Sequence, residues 1–217
     1  MSPFAARRFN MIEAQLRTND VSDPRICAAM GDIPRERFVP AAKQALAYAD
    51  VPVEVSPSRF LLDPRTFAKL LMLADVKAGE TVLDVGSATG YSAAVLARLA
   101  RSVIALEQDA ELVRAAYELL PSLGAANVIV TQGPLNQGLK AKAPYDVIFV
   151  NGSLGEVPEM LLGQLAEGGR LVAVLSDGAT GKAQVFLREK GRIGSRPGFD
   201  AVVPPLVGFA KTVGFVF

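Results

Sequence analysis

The stretch Val82-Leu83-Asp84-Val85-Gly86-Ser87-Ala88-Thr89-Gly90-Tyr91 decides how this chain is read. Thr81 to Gly86 is short and mostly apolar, the pattern of a strand buried on both faces. A glycine-bearing loop follows, then a helix expected from Tyr91 to about Leu99. In an open α/β sheet such a loop lies at the carboxyl edge of the first strand, where these sheets place their ligands. Glu107 stands 21 residues after Gly86, at the end of the next strand candidate, Ser102 to Glu107. A carboxylate there can accept hydrogen bonds from both ribose hydroxyls of an adenosine.

Outward from this unit, strands and helices alternate. A helix is expected over Asp109 to Leu120, and another over Val157 to Leu165. Strand candidates lie at Asn127 to Thr131, Tyr145 to Val150 and Gly169 to Leu175. That alternation implies a parallel sheet covered on two sides, a doubly wound α/β sandwich. The last forty residues differ: Gln184 to Glu189 and Lys211 to Phe217 alternate like antiparallel or edge strands, with turns expected at Gly191 to Pro197 and Val202 to Leu206. Upstream, Phe9, Ile12 and Leu16 mark an amphipathic helix, and Asp23-Pro24 starts another. Pro34 to Pro64 reads as a mostly irregular connection with a short helix around Ala41 to Tyr48, of the kind that serves as a lid. One domain covers residues 1–217: a helical cap and substrate loop over 1–75, an α/β core over 76–183 and C-terminal strands over 184–217.

Composition removes several chemistries. Of 217 residues 50% are apolar and 21% charged, with 23 Lys+Arg against 22 Asp+Glu, so no basic excess argues for nucleic acid or an anionic membrane. There is no histidine, which excludes Ser-His-Asp and Cys-His relays and His-ligated metal sites. The single cysteine, Cys27, cannot form an intrachain disulfide and reads as a small buried apolar residue. Met1 to Arg17 is charged and lacks the apolar run of a secretory signal, and no apolar run reaches membrane-spanning length. A soluble cytoplasmic protein is expected.

The loop also discriminates among adenosine compounds. The dinucleotide fingerprint needs glycine at the first, third and sixth loop positions, which here are Gly86, Ala88 and Tyr91. No Gly-Lys-Ser or Gly-Lys-Thr follows, so a phosphate-binding loop is absent. S-adenosylmethionine, which has no phosphates, fits better, with Asp84 facing its ammonium group directly or through water.

With these residues in hand, the wider sequence resembles the protein-L-isoaspartate O-methyltransferases. The resemblance rests on Met11 to Leu16, Asp23-Pro24-Arg25-Ile26, Ile33-Pro34-Arg35-Glu36-Arg37-Phe38-Val39-Pro40 and Ala47-Tyr48-Ala49-Asp50 in the cap. Further on it rests on Tyr91 to Ala97, Tyr145-Asp146-Val147-Ile148, Pro158 to Leu165, Gly168-Gly169-Arg170-Leu171 and Val203 to Leu206. It implies a Rossmann-like methyltransferase fold and methyl transfer from S-adenosylmethionine to the α-carboxylate of an isoaspartyl residue in a damaged protein or peptide. It further implies cofactor binding by Asp84, Gly86, Ser87, Ala88, Gly90, Tyr91, Glu107 and Gly133, without a metal. The loop Ser56 to Asp63 and the cap around Tyr48 would cover the acceptor.

Three departures stand out. The family's Gly-Gln-Thr-Ile-Ser-Gln-Pro loop, anchored on Pro64, becomes Ser58-Arg59-Phe60-Leu61-Leu62-Asp63-Pro64. Its carboxylate-holding hydroxyl positions are thus Phe60 and Leu62, with Ser56, Ser58 or Arg59 as substitutes and no catalytic residue assigned. The middle glycine of the cofactor loop is Ala88, and the family's Gly-Asp-Gly is Gly133-Pro134-Leu135, which leaves adenine to apolar packing and backbone contacts. Two other readings follow: a methyltransferase for a small or apolar acceptor lined by Phe60, Leu61 and Leu62, and a non-catalytic scaffold. The Arg35/Arg37 pair reads as a solvated face or as salt-bridged structure.

Overall fold

The computed structural model describes residues 2–178 and 180–209. Helix α1 (Pro3–Asn10) starts where the Ser2 hydroxyl accepts the Ala5 N–H at 3.2 Å and Pro3 occupies a first-turn position that needs no N–H. A π-helical turn, Met11–Leu16, and a 3-10 turn, Arg17–Asn19, continue it. The wider turn moves the buried face: Met11, Ile12 and Leu16 are buried, whereas Phe9, expected on that stripe, is 56% exposed. Helix α2 (Pro24–Asp32) is capped by Asp23, whose Oδ1 accepts the Arg25 N–H at 2.8 Å. Cys27 is buried in it as expected, with Sγ 3.8 Å from the Val21 carbonyl, and burial pushes its thiol pKa up. Two 3-10 turns follow, Arg35–Phe38 and Ala41–Leu46, the second being the short helix expected there.

The connection expected to be irregular contains a hairpin. Strands β1 (Val53–Ser56) and β2 (Arg59–Leu61) pair antiparallel, with Val53 opposite Leu61 and Ser56 opposite Arg59. Pro57 and Ser58 form the corner, Ser58 at φ +59°, the left-handed position of a type II turn. Five prolines from Pro34 to Pro64 hid these short strands, whose alternation covers only seven residues. Asp63 then caps α3 (Pro64–Ala74), Oδ1 accepting the Thr66 N–H at 2.8 Å.

The main sheet comprises β3 (Thr81–Val85), β4 (Ser102–Glu107), β5 (Val128–Gln132), β6 (Tyr145–Leu154), β7 (Leu165–Ser176), β8 (Gly181–Glu189) and β9 (Arg192–Asp200). Their order is β5-β4-β3-β6-β7-β8-β9, parallel from β5 through β7 and antiparallel beyond. Helices α4 (Tyr91–Leu96), α5 (Ala110–Leu119) and α6 (Glu159–Leu162) complete the crossovers. Side-chain alternation divides the core. Val82, Val103, Val147 and Phe149 pack with residues of α2, α3, α4 and α5, while Leu83, Val85, Ile148 and Val150 pack with Leu161, Leu206 and Phe209. The strand runs look continuous in sequence because both faces are buried.

Residues Gly191 to Pro197, expected as turn, form most of β9. Lys190 (φ +50°) and Gly191 (φ +72°) make a two-residue connection that pairs Glu189 with Arg192. Their partner strand, not an apolar pattern, fixes that edge, since residues 192–198 are exposed. Residues 202–206 are irregular as expected apart from a bridge from Pro205 to Ser153, and cross the carboxyl edge of β6 with the Leu206 N–H donating to the Ser153 carbonyl at 2.9 Å. Lys211 to Phe217 lie outside the described residues. Among those described, no helix is long and apolar enough to cross a membrane.

The chain steps outward from β3 to β4 and β5, then returns to β6 on the other side of β3. That reversal opens a crevice at the carboxyl ends of β3 and β6, where a sheet of this type accepts a ligand.

Candidate functional site

The predicted glycine loop lies at that crevice. Gly86 takes φ +75°, and its N–H and that of Ser87 donate to the Leu106 carbonyl at 2.9 and 3.2 Å. Ala88 also sits in the left-handed region, at φ +49°, which turns its N–H onto Glu107 Oε2 at 2.8 Å. Gly90 has a different role. At φ +94° it starts α4, and a Cβ there would stand 3.1 Å from the Ala116 Cβ of α5. It is needed for helix packing and does not face the cleft.

Asp84, at the same edge, is wholly buried. Its Oδ1 accepts the Asn151 amide at 2.6 Å and its Oδ2 the Ser92 hydroxyl at 2.7 Å. Desolvation still dominates and, against both hydrogen bonds, pushes the carboxyl pKa up to about 7. Asn151 and Ser92 were not singled out from sequence. The available signal was position: Asn151-Gly152 directly follows the apolar run of β6, and Ser92 lies one residue into α4.

Glu107 ends β4 with no exposed surface. Oε1 accepts the Gln108 and Asp109 N–H groups at 2.8 and 3.2 Å, and Oε2 accepts the Ala88 N–H and the Arg59 guanidinium. A carboxylate offers about four lone-pair sites, and here all four are taken. Arg59 reaches this point from β2 and is only 4% exposed. Among the described residues its Nε has no hydrogen-bond partner, and its Nη2 would lie 3.2 Å from a Cβ placed on Gly86. Leu206 covers the same glycine, with Cδ1 2.9 Å from that position.

Arg35 is the opposite of the solvated residue its sequence suggested. It is fully buried, donates to the Ala47 carbonyl at 2.6 Å and the Leu62 carbonyl at 2.5 Å, and stacks 4.7 Å over the Tyr91 ring. Desolvation lowers its pKa. Tyr91 in turn meets Phe38 and Phe67 at centroid distances of 5.4 and 5.5 Å. Arg35 thus ties the cap to the substrate loop and to the first turn of α4. Arg37 is exposed and reaches Ser122 Oγ at 3.1 Å. Tyr48 is buried with its hydroxyl donating to Glu36, so it braces the cap and does not line the cleft.

The family model described as Protein-L-isoaspartate(D-aspartate) O-methyltransferase matches residues 7–204. The chain belongs to this family. The Koribacter versatilis protein-L-isoaspartate O-methyltransferase is 37% identical over 208 residues, 96% of this chain and 94% of that protein. A Synechococcus relative of the same name is 40% identical over 81% of this chain and 72% of its own length. A solved protein-L-isoaspartate O-methyltransferase superposes with TM-score 0.80 at 26% identity, over 93% of this chain but only 66% of that longer one. A Plasmodium falciparum structure with S-adenosyl-L-homocysteine bound, 23% identical and covering 95% of this chain and 99% of its own, superposes with TM-score 0.78 and shows the shared fold.

For a member of this family, the site carries the right groups in a closed arrangement. Asp84, the Gly86-Ser87-Ala88 backbone, Tyr91 and Glu107 are brought together; Gly133 touches the group only by donating its N–H to the Glu107 carbonyl at 3.0 Å, and Pro134 is exposed. The cavity lined by Arg35, Phe60, Leu62, Gly86, Ser87 and Asn151 measures about 10 Å³, roughly the space of one water. The donor set, Asp84 and Glu107 beside the glycine loop, suits S-adenosylmethionine, while in this arrangement the space is closed and every acceptor position of Glu107 is taken. Phe60 and Leu62 do border the cavity, Phe60 half-buried and Leu62 buried, while Ser58 is exposed at the hairpin corner. Ser56 Oγ is 3.4 Å from Asp109 Oδ2, away from the cavity lining. Among the described residues no group of three or more His, Cys, Asp or Glu side chains is placed to hold a metal.

Proposed function

We propose that this chain is an S-adenosylmethionine-dependent O-methyltransferase that acts on the α-carboxylate of isoaspartyl residues in damaged proteins or peptides. The observation that carries the reading is the family match over residues 7–204, with Asp84 and Glu107 set on either side of the glycine loop at the sheet's switch point. S-adenosylmethionine supplies, when bound, a methyl group on a sulfonium leaving group. Asp84, steadied by Asn151 and Ser92, and Glu107 would hold it, with Gly86, Ser87, Ala88 and Tyr91 shaping its pocket.

The acceptor side asks little proton chemistry of a chain without histidine. A carboxylate of ordinary pKa near 4 is already ionised at neutral pH, so no general base is required. What the protein adds is orientation and exclusion of water. Phe60, Leu61 and Leu62 provide an apolar wall, with two buried cations beside it, Arg59 within the same loop and Arg35 donating to the Leu62 carbonyl. Residues 1–75, 76–183 and 184–217 would work as cap, core and edge of one catalytic unit, in the cytoplasm.

The test is transfer of a labelled methyl group to an isoaspartyl peptide and to its aspartyl counterpart. Transfer to the isoaspartyl peptide alone is expected. The apolar lining by Phe60 and Leu62 favours a second reading, a small apolar acceptor, and cofactor-dependent labelling of such acceptors with none of the peptide would select it.

A further inference from the structure

We propose that Arg59 is a resident occupant of the nucleoside pocket, and that it competes with the ribose hydroxyls of the cofactor for the Glu107 carboxylate. This rests on the methyltransferase reading and adds to it a latch. The guanidinium takes the one acceptor position of Glu107 that the backbone N–H groups leave for a hydroxyl. It donates to Glu107 Oε2, and its Nη2 lies against Gly86, at the face of the loop that a ligand would approach.

The pair is built to be exchanged. A buried ion pair is near break-even in free energy, because removal from water offsets most of the attraction, and among the described residues this one also leaves Arg59 Nε buried without an acceptor. Withdrawal of Arg59 does not strand the carboxylate. The Ala88, Gln108 and Asp109 N–H groups continue to hold Glu107, and one acceptor position is freed for a hydroxyl.

The carrier of Arg59 lies outside the main sheet, anchored by Val53, Leu61 and Leu62 in the core, so the withdrawal required is that of the Arg59 side chain. Among the described residues the β1–β2 hairpin pairs only with itself, separate from the main sheet, and it turns through Ser58 in the left-handed region. Displacing three-residue β2 breaks no pairing of the seven-stranded sheet. Any affinity for a nucleoside is therefore reduced by the fraction of molecules in which Arg59 has left Glu107.

Calorimetric titration of S-adenosylhomocysteine into the full chain tests this, using wild type, Arg59→Gln and Arg59→Leu, each first checked for folding by thermal melting. Arg59→Gln keeps a polar group of similar reach without the charge; Arg59→Leu keeps the buried volume. The latch predicts at least tenfold tighter binding in both Arg59→Gln and Arg59→Leu than in wild type. Equal or weaker binding in both variants, with wild type binding well, overturns the latch and leaves the cofactor reading standing. No binding by any of the three folded proteins overturns the cofactor reading and the competition together.

Discussion

Asn151 donates its side-chain amide to Asp84 Oδ1 at 2.6 Å, joining the carboxyl ends of β6 and β3 inside a site with no exposed surface at Asp84. β3 and β6 already pair in parallel up to Val85 opposite Val150, and this bond adds a side-chain link across them at the crevice.

Asp84 makes stability depend on pH. Its carboxyl is raised from the usual range near 4 up to about 7 by burial, so between those values the folded chain binds the proton and the unfolded chain does not. The contribution is fully present below about pH 4 and is lost as pH rises through about 7, up to roughly 4 kcal/mol if unrelieved. Asp84→Asn retains the Asn151 contact and removes the titration. Melting temperatures from pH 5 to 8 should fall in the wild type relative to Asp84→Asn; parallel curves would contradict it.

Ala88 stores backbone strain. An L residue in the left-handed region costs about 1–2 kcal/mol, and the extra freedom of glycine in the unfolded chain costs about 0.4–1 kcal/mol. Ala88→Gly should therefore be neutral or stabilising by up to about 1.6 kcal/mol, read by urea denaturation. A loss above 1 kcal/mol would mean that the Ala88 methyl, buried beside Tyr91, contributes more packing than the strain removes.

Arg35 holds two buried carbonyls with one planar group. Arg35→Lys can satisfy one of them, and Arg35→Met neither, at about 1–3 kcal/mol for each carbonyl left without a donor. The order wild type, Lys, Met should appear in denaturant midpoints. Equal midpoints for all three would contradict the bracing role.

How much was legible in the sequence follows from where the information lies. Strands β3, β4, β6 and β7 announce themselves because both faces are buried and their runs are apolar, and Glu107 is found by its distance from Gly86. The β1–β2 hairpin and β9 were missed because their pairing partners, not their own apolar patterns, define them. Arg35 read as surface because charge is usually solvated, and only the fold brings the Ala47 and Leu62 carbonyls to it. Arg59 was visible as a substitute in the acceptor loop, but its pairing with Glu107 joins residues 48 apart through an arrangement no local pattern encodes.

The most direct test of the account is the rate of labelled methyl transfer to an isoaspartyl peptide, measured against S-adenosylmethionine concentration for wild type and Arg59→Gln. A methyltransferase whose nucleoside pocket is latched predicts transfer by both proteins, with KM for S-adenosylmethionine at least tenfold lower in Arg59→Gln. Transfer with an unchanged or higher KM would contradict the latch, and absence of transfer by both would contradict the assignment itself.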